Sequence, residues 1–178
     1  MNRQIGVAWL AAAVLLCQQA DDPSLDDNLR QACLQCSISN AYYAVFHLIT
    51  GDSTALVCVD AHESPLAHRL RRSLNHADLK KVLASLLGSV GYDQKKGSGP
   101  GPISMPLQCM QAIVETLIWL QKARDAADYA FDQPFDALQA DQASANAEAV
   151  ISEWQLLSRD LKQQFAQLLV LRLMPNPR

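Results

Sequence analysis

Signals for β-structure are scarce in this sequence. Its 178 residues include seven glycines, and no two β-branched segments are joined by a turn signal of the kind that connects paired strands. Hydrophobic residues make up 49% of the chain, enough for a substantial core in one domain. The sequence therefore predicts a single all-α domain over residues 1–178.

An excess of positive charge is also absent. The net charge is −3 and the isoelectric point is about 5.7, which excludes a surface that is basic everywhere. Any contact with nucleic acid would therefore need a local basic patch.

The cysteines lack the arrangement of a metal site. Five is an odd number for a disulfide framework, and Cys33 and Cys36 form one Cys-x-x-Cys with no second pair or nearby histidine doublet. On a helix this spacing places two small hydrophobic side chains on one face. We favour packing over a metal site, expect no cofactor, and regard a reducing cytoplasm as the best-fitting compartment.

The chain also lacks a hydrophobic run long enough to span a membrane. Residues 5–17 are apolar and follow Arg3, but a transmembrane helix needs about 20 such residues. The alternative is a signal peptide over residues 1–20, which would make the protein secreted; cleavage after Ala20 is poorly supported, because Gln18 stands where a small residue is required. We interpret residues 5–19 as a buried core helix.

Helical periodicity predicts four main helices. The second begins at Asp26 or Asp27, either a good N-cap, and ends at Gly51, an expected C′ glycine. The last is long, at roughly 45 Å for 1.5 Å per residue, so its C-terminal third should kink back or pack on another subunit. The predicted ranges are residues 5–19, 26–51, 107–129 and 143–173.

The middle of the chain predicts a short additional helix and a loop. Leucines at helical spacing predict helix within residues 66–87, with a cap at Asn75, and the glycines and prolines of residues 91–106 predict a mobile loop. Residues 54–59 have the β-branched content of a strand, but a lone strand has no partner, so a helix end or loop is favoured there.

Two motifs carry a family resemblance. Residues 37–47 read Ser-Ile-Ser-Asn-Ala-Tyr-Tyr-Ala-Val-Phe-His, and residues 120–129 read Leu-Gln-Lys-Ala-Arg-Asp-Ala-Ala-Asp-Tyr. Together they resemble the HEPN superfamily, in the branch with an Ala-Tyr-Tyr-Ala-x-Phe-His helix and an Arg-x-x-Ala-Asp-Tyr step. The resemblance implies a HEPN-like bundle and a homodimer, to which we expect Leu168 and Leu171 of the last helix to contribute.

The resemblance also implies a catalytic pair that is incomplete here. HEPN ribonucleases cleave RNA without a metal by means of an arginine, which suits a phosphate, and a histidine a few residues away, which moves a proton. Arg124 stands at the matching position, but no histidine follows it. The chain would be a metal-independent endoribonuclease only if another histidine, His47 first, replaced the missing one.

Arg124 and Asp128 allow two interpretations. Four residues apart on a helix, they form an intrahelical ion pair in the simpler one. In the other, Arg124, Asp128 and Tyr129 line a polar pocket that Asn40, Tyr43 or His47 of the paired-tyrosine helix also faces. His47 itself is either a core histidine or a catalyst.

The second candidate site is the basic segment of residues 68–81. If this segment is one continuous helix, four of its basic residues share one face, which is either a solvated surface or a phosphate-binding patch. Arg71 and His76 also have the spacing of the nuclease pair, although outside the family's position. The four residues of this face are Arg69, Arg72, His76 and Lys80.

Two functions follow from these observations. The first is a HEPN-like protein that binds RNA or a nucleotide, in the manner of toxin, defence or nucleotidyltransferase-associated members, with an altered ribonuclease motif. The second is a non-catalytic helical module that dimerises or docks on a partner such as a nucleotidyltransferase.

Overall fold

A computed structural model describes residues 2–58, 105–130 and 133–173. These residues form five helices and no strand, so the predicted all-α class is confirmed for the described part of the chain. The helices are α1 (Asn2–Ala20), α2 (Asp27–Val57), α3 (Met105–Tyr129), α4 (Ala137–Leu156) and α5 (Arg159–Leu173).

The chain divides into two compact units, each built from segments that are distant in the sequence. Unit 1 comprises Met1–Leu48 and Glu115–Ser152, and unit 2 comprises Ile49–Val114 and Glu153–Arg178. The paired-tyrosine motif and the Arg-Asp-Tyr motif both belong to unit 1. A site that combines the two motifs is therefore a feature of unit 1 alone.

Within unit 1, α2 contacts both α1 and α3. The hydroxyl of Ser37 donates a 2.8 Å hydrogen bond to the carbonyl of Ala13 on α1. The backbones of α1 and α2 lie so close that a Cβ atom on Gly6 would stand 3.0 Å from the carbonyl oxygen of Ala44. Small residues are therefore needed where these two helices meet.

The buried face of α1 is made of small residues, whereas several of its large aliphatic side chains are exposed. Ala13 and Cys17 are buried, while Val7 is 59% and Leu15 is 55% exposed. The prediction of a buried core helix over residues 5–19 is thus correct for one face and wrong for the other. The reason is that only small side chains fit against the closely packed α2.

Helix α2 continues beyond its predicted end. Gly51 was expected to follow the last turn, but the helix runs on to Val57. The hydroxyl of Thr54 donates to the carbonyl of Thr50, and the amide of Cys58 donates to the carbonyl of Thr54, so the backbone pattern is unbroken across the glycine. A glycine inside a helix lowers stability but does not force an end when the flanking turns are buried. The favoured helix end over residues 54–57 is confirmed, and the strand is excluded there.

The long final helix predicted over residues 143–173 is wrong, because the structure has two helices there. Helix α4 begins earlier, where Asp136 and Gln139 cap each other's backbone amides reciprocally at 2.8 and 2.9 Å. Helix α4 ends at Leu156. Ser158 then caps α5, because its hydroxyl oxygen accepts a hydrogen bond from the amide of Leu161. The side chains of Leu168 and Leu171 lie outside the described part of the structure.

Trp154 forms the centre of the described core of unit 2. Its ring is fully buried and meets Phe165 of α5 edge to face, with 5.4 Å between the ring centroids. Its indole Nε1 donates a 3.1 Å hydrogen bond to Oδ2 of Asp52 on α2. The side chain of Lys162 lies over the same indole at 5.8 Å.

Several predicted features lie outside the described residues. They are the short helix within residues 66–87, the loop of residues 91–106 and the basic face of Arg69, Arg72, His76 and Lys80. In the ranges that the structure does describe, no helix combines the length and apolar character needed to cross a membrane.

Candidate functional site

The candidate site begins with one face of α2. Ser39, Tyr43 and His47 follow each other at intervals of four residues, so a helix places their side chains along one face. Opposite them in unit 1 stands the end of α3, where Arg124 and Asp128 are also four residues apart. The helical spacing on both elements brings two short rows of polar side chains together.

All three guanidinium nitrogens of Arg124 have partners. Nη2 donates a 2.8 Å hydrogen bond to the hydroxyl of Tyr43, and Nη1 donates a 3.1 Å hydrogen bond to Oδ1 of Asp125. Nε lies 2.6 Å from Oδ2 of Asp128 in an ion pair, although the direction of its N–H does not meet the geometry of a hydrogen bond. Only 11% of the Arg124 side chain is exposed, so the group is held in place and largely shielded from water.

Asp128 joins the same network through its second oxygen. Oδ1 accepts a 2.5 Å hydrogen bond from the hydroxyl of Ser39, while Oδ2 contacts Arg124. Both the carboxylate and the guanidinium therefore bridge α2 and α3. We call Ser39, Tyr43, Arg124, Asp125 and Asp128 the Arg124 cluster.

The charges of the Arg124 cluster do not favour an anion. One arginine faces the two carboxylates of Asp125 and Asp128, which gives a formal sum of +1 and −2, or −1. Burial lowers the pKa of Arg124, but the hydrogen bonds to Tyr43 and Asp125 and the charge of Asp128 outweigh burial and hold the pKa above its usual range. The guanidinium is therefore a permanent cation whose charge is already compensated.

An aromatic stack continues from the cluster toward α1. The ring of Tyr43 lies 6.1 Å from that of His47 and 5.5 Å from that of Trp9, and Trp9 stacks on His47 at 5.8 Å. His47 is half-buried in this stack, and burial lowers its pKa from the ordinary 6.5. Burial therefore favours the neutral form of the imidazole over the charged one.

Tyr129 and Asn40 are placed differently from the other predicted site residues. Tyr129 is 65% exposed, and its ring centroid lies 5.5 Å from Cζ of Arg124, which is a cation–π distance. Asn40 is half-buried and takes no part in the described contacts of the Arg124 cluster. Arg124, Asp128 and Tyr129 thus lie together, whereas His47 contacts Tyr43 and not Arg124 within the described structure.

Sequence reasoning did not single out Ser39 or Trp9. Ser39 stands four residues before Tyr43, so its position on the site face was available from helical spacing. Trp9 lies in an apolar run that carries no polar signal, and only the packing of α1 on α2 brings it to Tyr43. The first was therefore predictable, whereas the second was not.

The thiol of Cys17 is a second buried polar contact in unit 1. Its Sγ donates to Oδ1 of Asp141 on α4 at 3.2 Å. Burial, followed by this hydrogen bond to a carboxylate, raises the pKa of Cys17 to about 12. A thiol with so high a pKa is a poor nucleophile. The described residues contain no group of three or more side chains suited to hold a metal ion.

One cavity of about 430 Å³ opens in unit 1, away from the Arg124 cluster. Two polar side chains in its wall are committed to the backbone: Arg30 donates to the carbonyl of Ala20, and the amide group of Gln31 makes two hydrogen bonds of 2.8 Å to the backbone of Phe135. These contacts fix the end of α1 and the segment before α4 against α2. The cavity therefore offers few free polar groups to a ligand.

Comparison of the chain with protein-family models, with curated proteins and with solved structures finds no match. The chemistry of the site must therefore be argued from its own geometry. Arg124 already faces the carboxylates of Asp125 and Asp128, which oppose the approach of a phosphate, and His47 contacts the ring of Tyr43 instead of the guanidinium. The Arg124 cluster has the contacts of a structural tie between two helices.

Proposed function

We propose that the chain is a HEPN-like helical protein that binds RNA or a nucleotide and does not cleave RNA at Arg124. The likeness of its two motifs to the superfamily supports the family. The engagement of Arg124 by Tyr43, Asp125 and Asp128 carries the second half of the proposal. Settings such as toxin–antitoxin pairs, defence or association with a nucleotidyltransferase belong to the same proposal.

Chemistry at the Arg124 cluster opposes cleavage. Cleavage of RNA by its own 2′-hydroxyl needs a base near neutral pH and a cation free to meet the growing charge on the phosphate. Arg124 is engaged by two carboxylates, which would repel a phosphate at that position. His47 contacts the ring of Tyr43 and not the guanidinium. Neither role is available without rearrangement of the cluster.

Binding is assigned to a different part of the chain. The cations that a phosphate backbone requires are densest in the sequence around Arg69, Arg72, His76 and Lys80, which a continuous helix would place on one face. The Arg124 cluster then serves to join α2 and α3, so that the paired-tyrosine helix keeps its position.

The test is a binding and cleavage assay with a fluorescent single-stranded RNA. We expect salt-dependent binding by the unmodified protein and no cleavage product. Arg72→Ala should weaken binding and reduce the slope of affinity against salt by about 1. Arg159→Ala, which removes an exposed cation at the start of α5, is the matched control and should leave the affinity for RNA and its salt dependence unchanged.

Two results would contradict the proposal in different ways. Cleavage that disappears in Arg124→Ala, with helicity retained, would restore a nuclease role to the Arg124 cluster. Binding that is absent, or equally affected by Arg72→Ala and Arg159→Ala, would remove RNA from the proposal. A nucleotide triphosphate, assayed in parallel, separates nucleotide binding from RNA binding.

The second candidate is a non-catalytic module that dimerises or docks on another protein. The exposed aliphatic side chains of α1 favour it, because Val7, Val14 and Leu15 face solvent on a helix that otherwise packs in unit 1. In this function the Arg124 cluster has the same structural role. The two candidates differ in whether RNA or a protein surface is the ligand.

A further inference from the structure

Helix α1 presents an uncharged exposed face, which we call the α1 face. Its centre is a row of five exposed residues, which we call the seam. The members of the seam follow each other at alternating intervals of four and three residues, the spacing that the contact positions of a coiled coil have. Val7 and Val14, seven residues apart, flank this row on one side. The row consists of Gln4, Ala8, Ala11, Leu15 and Gln18.

The seam has the composition of a helix–helix contact. Ala8 and Ala11 at its middle allow a second helix to approach closely, because the distance between packed helices depends on the side chains between them. Leu15, Val7 and Val14 provide aliphatic surface that water now covers. From Ile5 to Ala20 the sequence contains no charged residue, so a partner would bury no charge on this face.

We propose that a second copy of this chain occupies the α1 face, with the two α1 helices antiparallel and Ala11 near the two-fold axis. In that register Gln4 of one copy lies near Gln18 of the other, and Ala8 near Val14. Ala8 then opposes a larger side chain, Val7 lies near Leu15, and the amides at the ends of the seam oppose each other. A surface that complements itself in this way fits an isologous dimer.

The charges that border the seam favour the same arrangement. Asp21 and Asp22 are exposed and directly follow the C-terminal end of α1. Antiparallel packing places these carboxylates beside the first turn of the other α1, where the partial positive charge of a helix N-terminus attracts anions. Parallel packing would instead set the two acidic pairs side by side. The antiparallel dimer is thus the electrostatically complementary one.

Other occupants fit this face less well. A helix that binds a membrane surface carries lysine or arginine along its polar edge, and the exposed residues from Gln4 to Gln19 include none. A charged protein partner would find no counter-charges on the seam. The uncharged row therefore selects a partner with an equally uncharged row, and α1 itself has one.

The dimer is a specific form of the second candidate function and does not require RNA binding. Its test is accordingly the oligomeric state without RNA, while the RNA assay is made separately on the same variants. If the protein dimerises but does not bind RNA, this inference stands and the proposal of RNA binding fails. If the protein is a monomer that binds RNA, the proposal of RNA binding stands and this inference fails.

The first experiment measures mass by light scattering during size-exclusion chromatography of the full chain. We expect a dimer at micromolar concentration. Leu15→Glu places an unpaired carboxylate opposite Val7 of the other copy, and burial of that charge should weaken the dimer at least about tenfold. The matched control is Leu138→Glu, which alters an exposed leucine on α4 and should leave the dimer intact. Circular dichroism checks that both variants keep their helices.

The second experiment tests the register. In Ala11→Cys the two-fold axis brings the two new thiols together, and an added oxidant should join them as a disulfide between copies faster than it cross-links the unmodified protein. Ala145→Cys, at an exposed alanine of α4, should cross-link no faster than the unmodified protein. Both variants retain the native cysteines, so their background is the same.

Three results would overturn the inference. The first is a monomer in the unmodified protein. The second is a dimer that Leu15→Glu leaves unchanged, above all one that Leu168→Lys with Leu171→Lys dissociates, since this would place the interface on the last helix. The third is a dimer in which Ala11→Cys cross-links no faster than Ala145→Cys. Leu15-dependent sedimentation of a monomer with vesicles of anionic lipid would assign the α1 face to a membrane surface.

Discussion

Tyr43 accepts a 2.8 Å hydrogen bond from Nη2 of Arg124, and this contact joins two motifs that are 81 residues apart in the chain. The same tyrosine ring contacts Trp9 and His47, so one side chain connects α1, α2 and α3 within unit 1. The relationship gives this tyrosine and this arginine a structural role, because their contact joins helices that are distant in the sequence. Its energetic consequence is measurable.

Tyr43→Phe should destabilise the protein while preserving the aromatic stack. The substitution removes the acceptor of a charged hydrogen bond and leaves Nη2 of Arg124 without its partner, which costs about 1.5–3 kcal/mol. Urea denaturation followed by circular dichroism measures the loss. Tyr129→Phe is the matched control: it keeps the ring near Arg124 at an exposed position and should change stability by less than about 0.5 kcal/mol. Equal effects of the two substitutions would show that the Tyr43 hydroxyl does not hold Arg124.

His47 should make the protein less stable in mild acid. Burial lowers its folded-state pKa below the ordinary 6.5, so the unfolded chain binds a proton more readily than the folded chain does. The contribution of the neutral imidazole is fully present above that ordinary value and declines as the pH falls through 6.5 toward the folded-state pKa.

His47→Phe, which keeps a ring between Trp9 and Tyr43, should remove this contribution. Denaturation with urea at about pH 7.5 and about pH 5.5 compares the two proteins over the relevant window. The unmodified protein should lose more stability than the variant does on acidification. The prediction fails if the two proteins lose the same amount, because titration of the other histidines is common to both.

Cys17 should resist alkylation. Burial and the hydrogen bond to Asp141 raise its pKa to about 12, so almost none of the reactive thiolate is present near about pH 8. Cys36 is exposed on α2 and is the internal control. Mass spectrometry of peptides after treatment with iodoacetamide should find Cys36 modified and Cys17 unmodified until denaturant is added. Labelling of both at one rate would contradict the buried contact.

Gly6→Val should loosen the contact between α1 and α2. A Cβ atom at position 6 would lie 3.0 Å from the carbonyl oxygen of Ala44 and 3.4 Å from Cβ of Leu48, and the larger valine adds two methyl groups there. Overpacking of this kind costs about 1–3 kcal/mol. Valine is a better helix former than glycine, so any loss of stability in Gly6→Val reports crowding; Ala149→Val, on the exposed surface of α4, measures the cost of valine where there is no crowding, about 0.6 kcal/mol relative to alanine. Thermal unfolding of both variants distinguishes crowding from propensity.

Local sequence signals predicted most of the helices, but their relative strength was hard to judge. Gly51 has the character of a helix end, yet α2 passes through it because the turns on both sides are buried. Ser158 has the character of a helix start, yet the apolar periodicity on either side suggested one continuous helix. In the first case burial overrode a local signal, and in the second a local cap overrode the periodicity.

The candidate site divides in the same way. The spacing of four residues between Arg124 and Asp128 is a property of the sequence, and it predicts their ion pair once α3 is helical. Their further partners, Ser39 and Tyr43, are supplied by another helix. No pattern within either segment specifies that pairing.

By itself the sequence determined the all-α class, the approximate positions of three of the helices and the i, i+4 pairs within them, because each depends on neighbours a few residues away. Only the tertiary structure decided which face of α1 is buried, since both of its faces are apolar and size alone selects the small residues that fit against α2. It likewise decided that Arg124 contacts Tyr43 as well as the two carboxylates of its own helix. A guanidinium takes whichever acceptors packing brings within about 3 Å, and the hydroxyl of Tyr43 reaches Arg124 from 81 residues away in the chain.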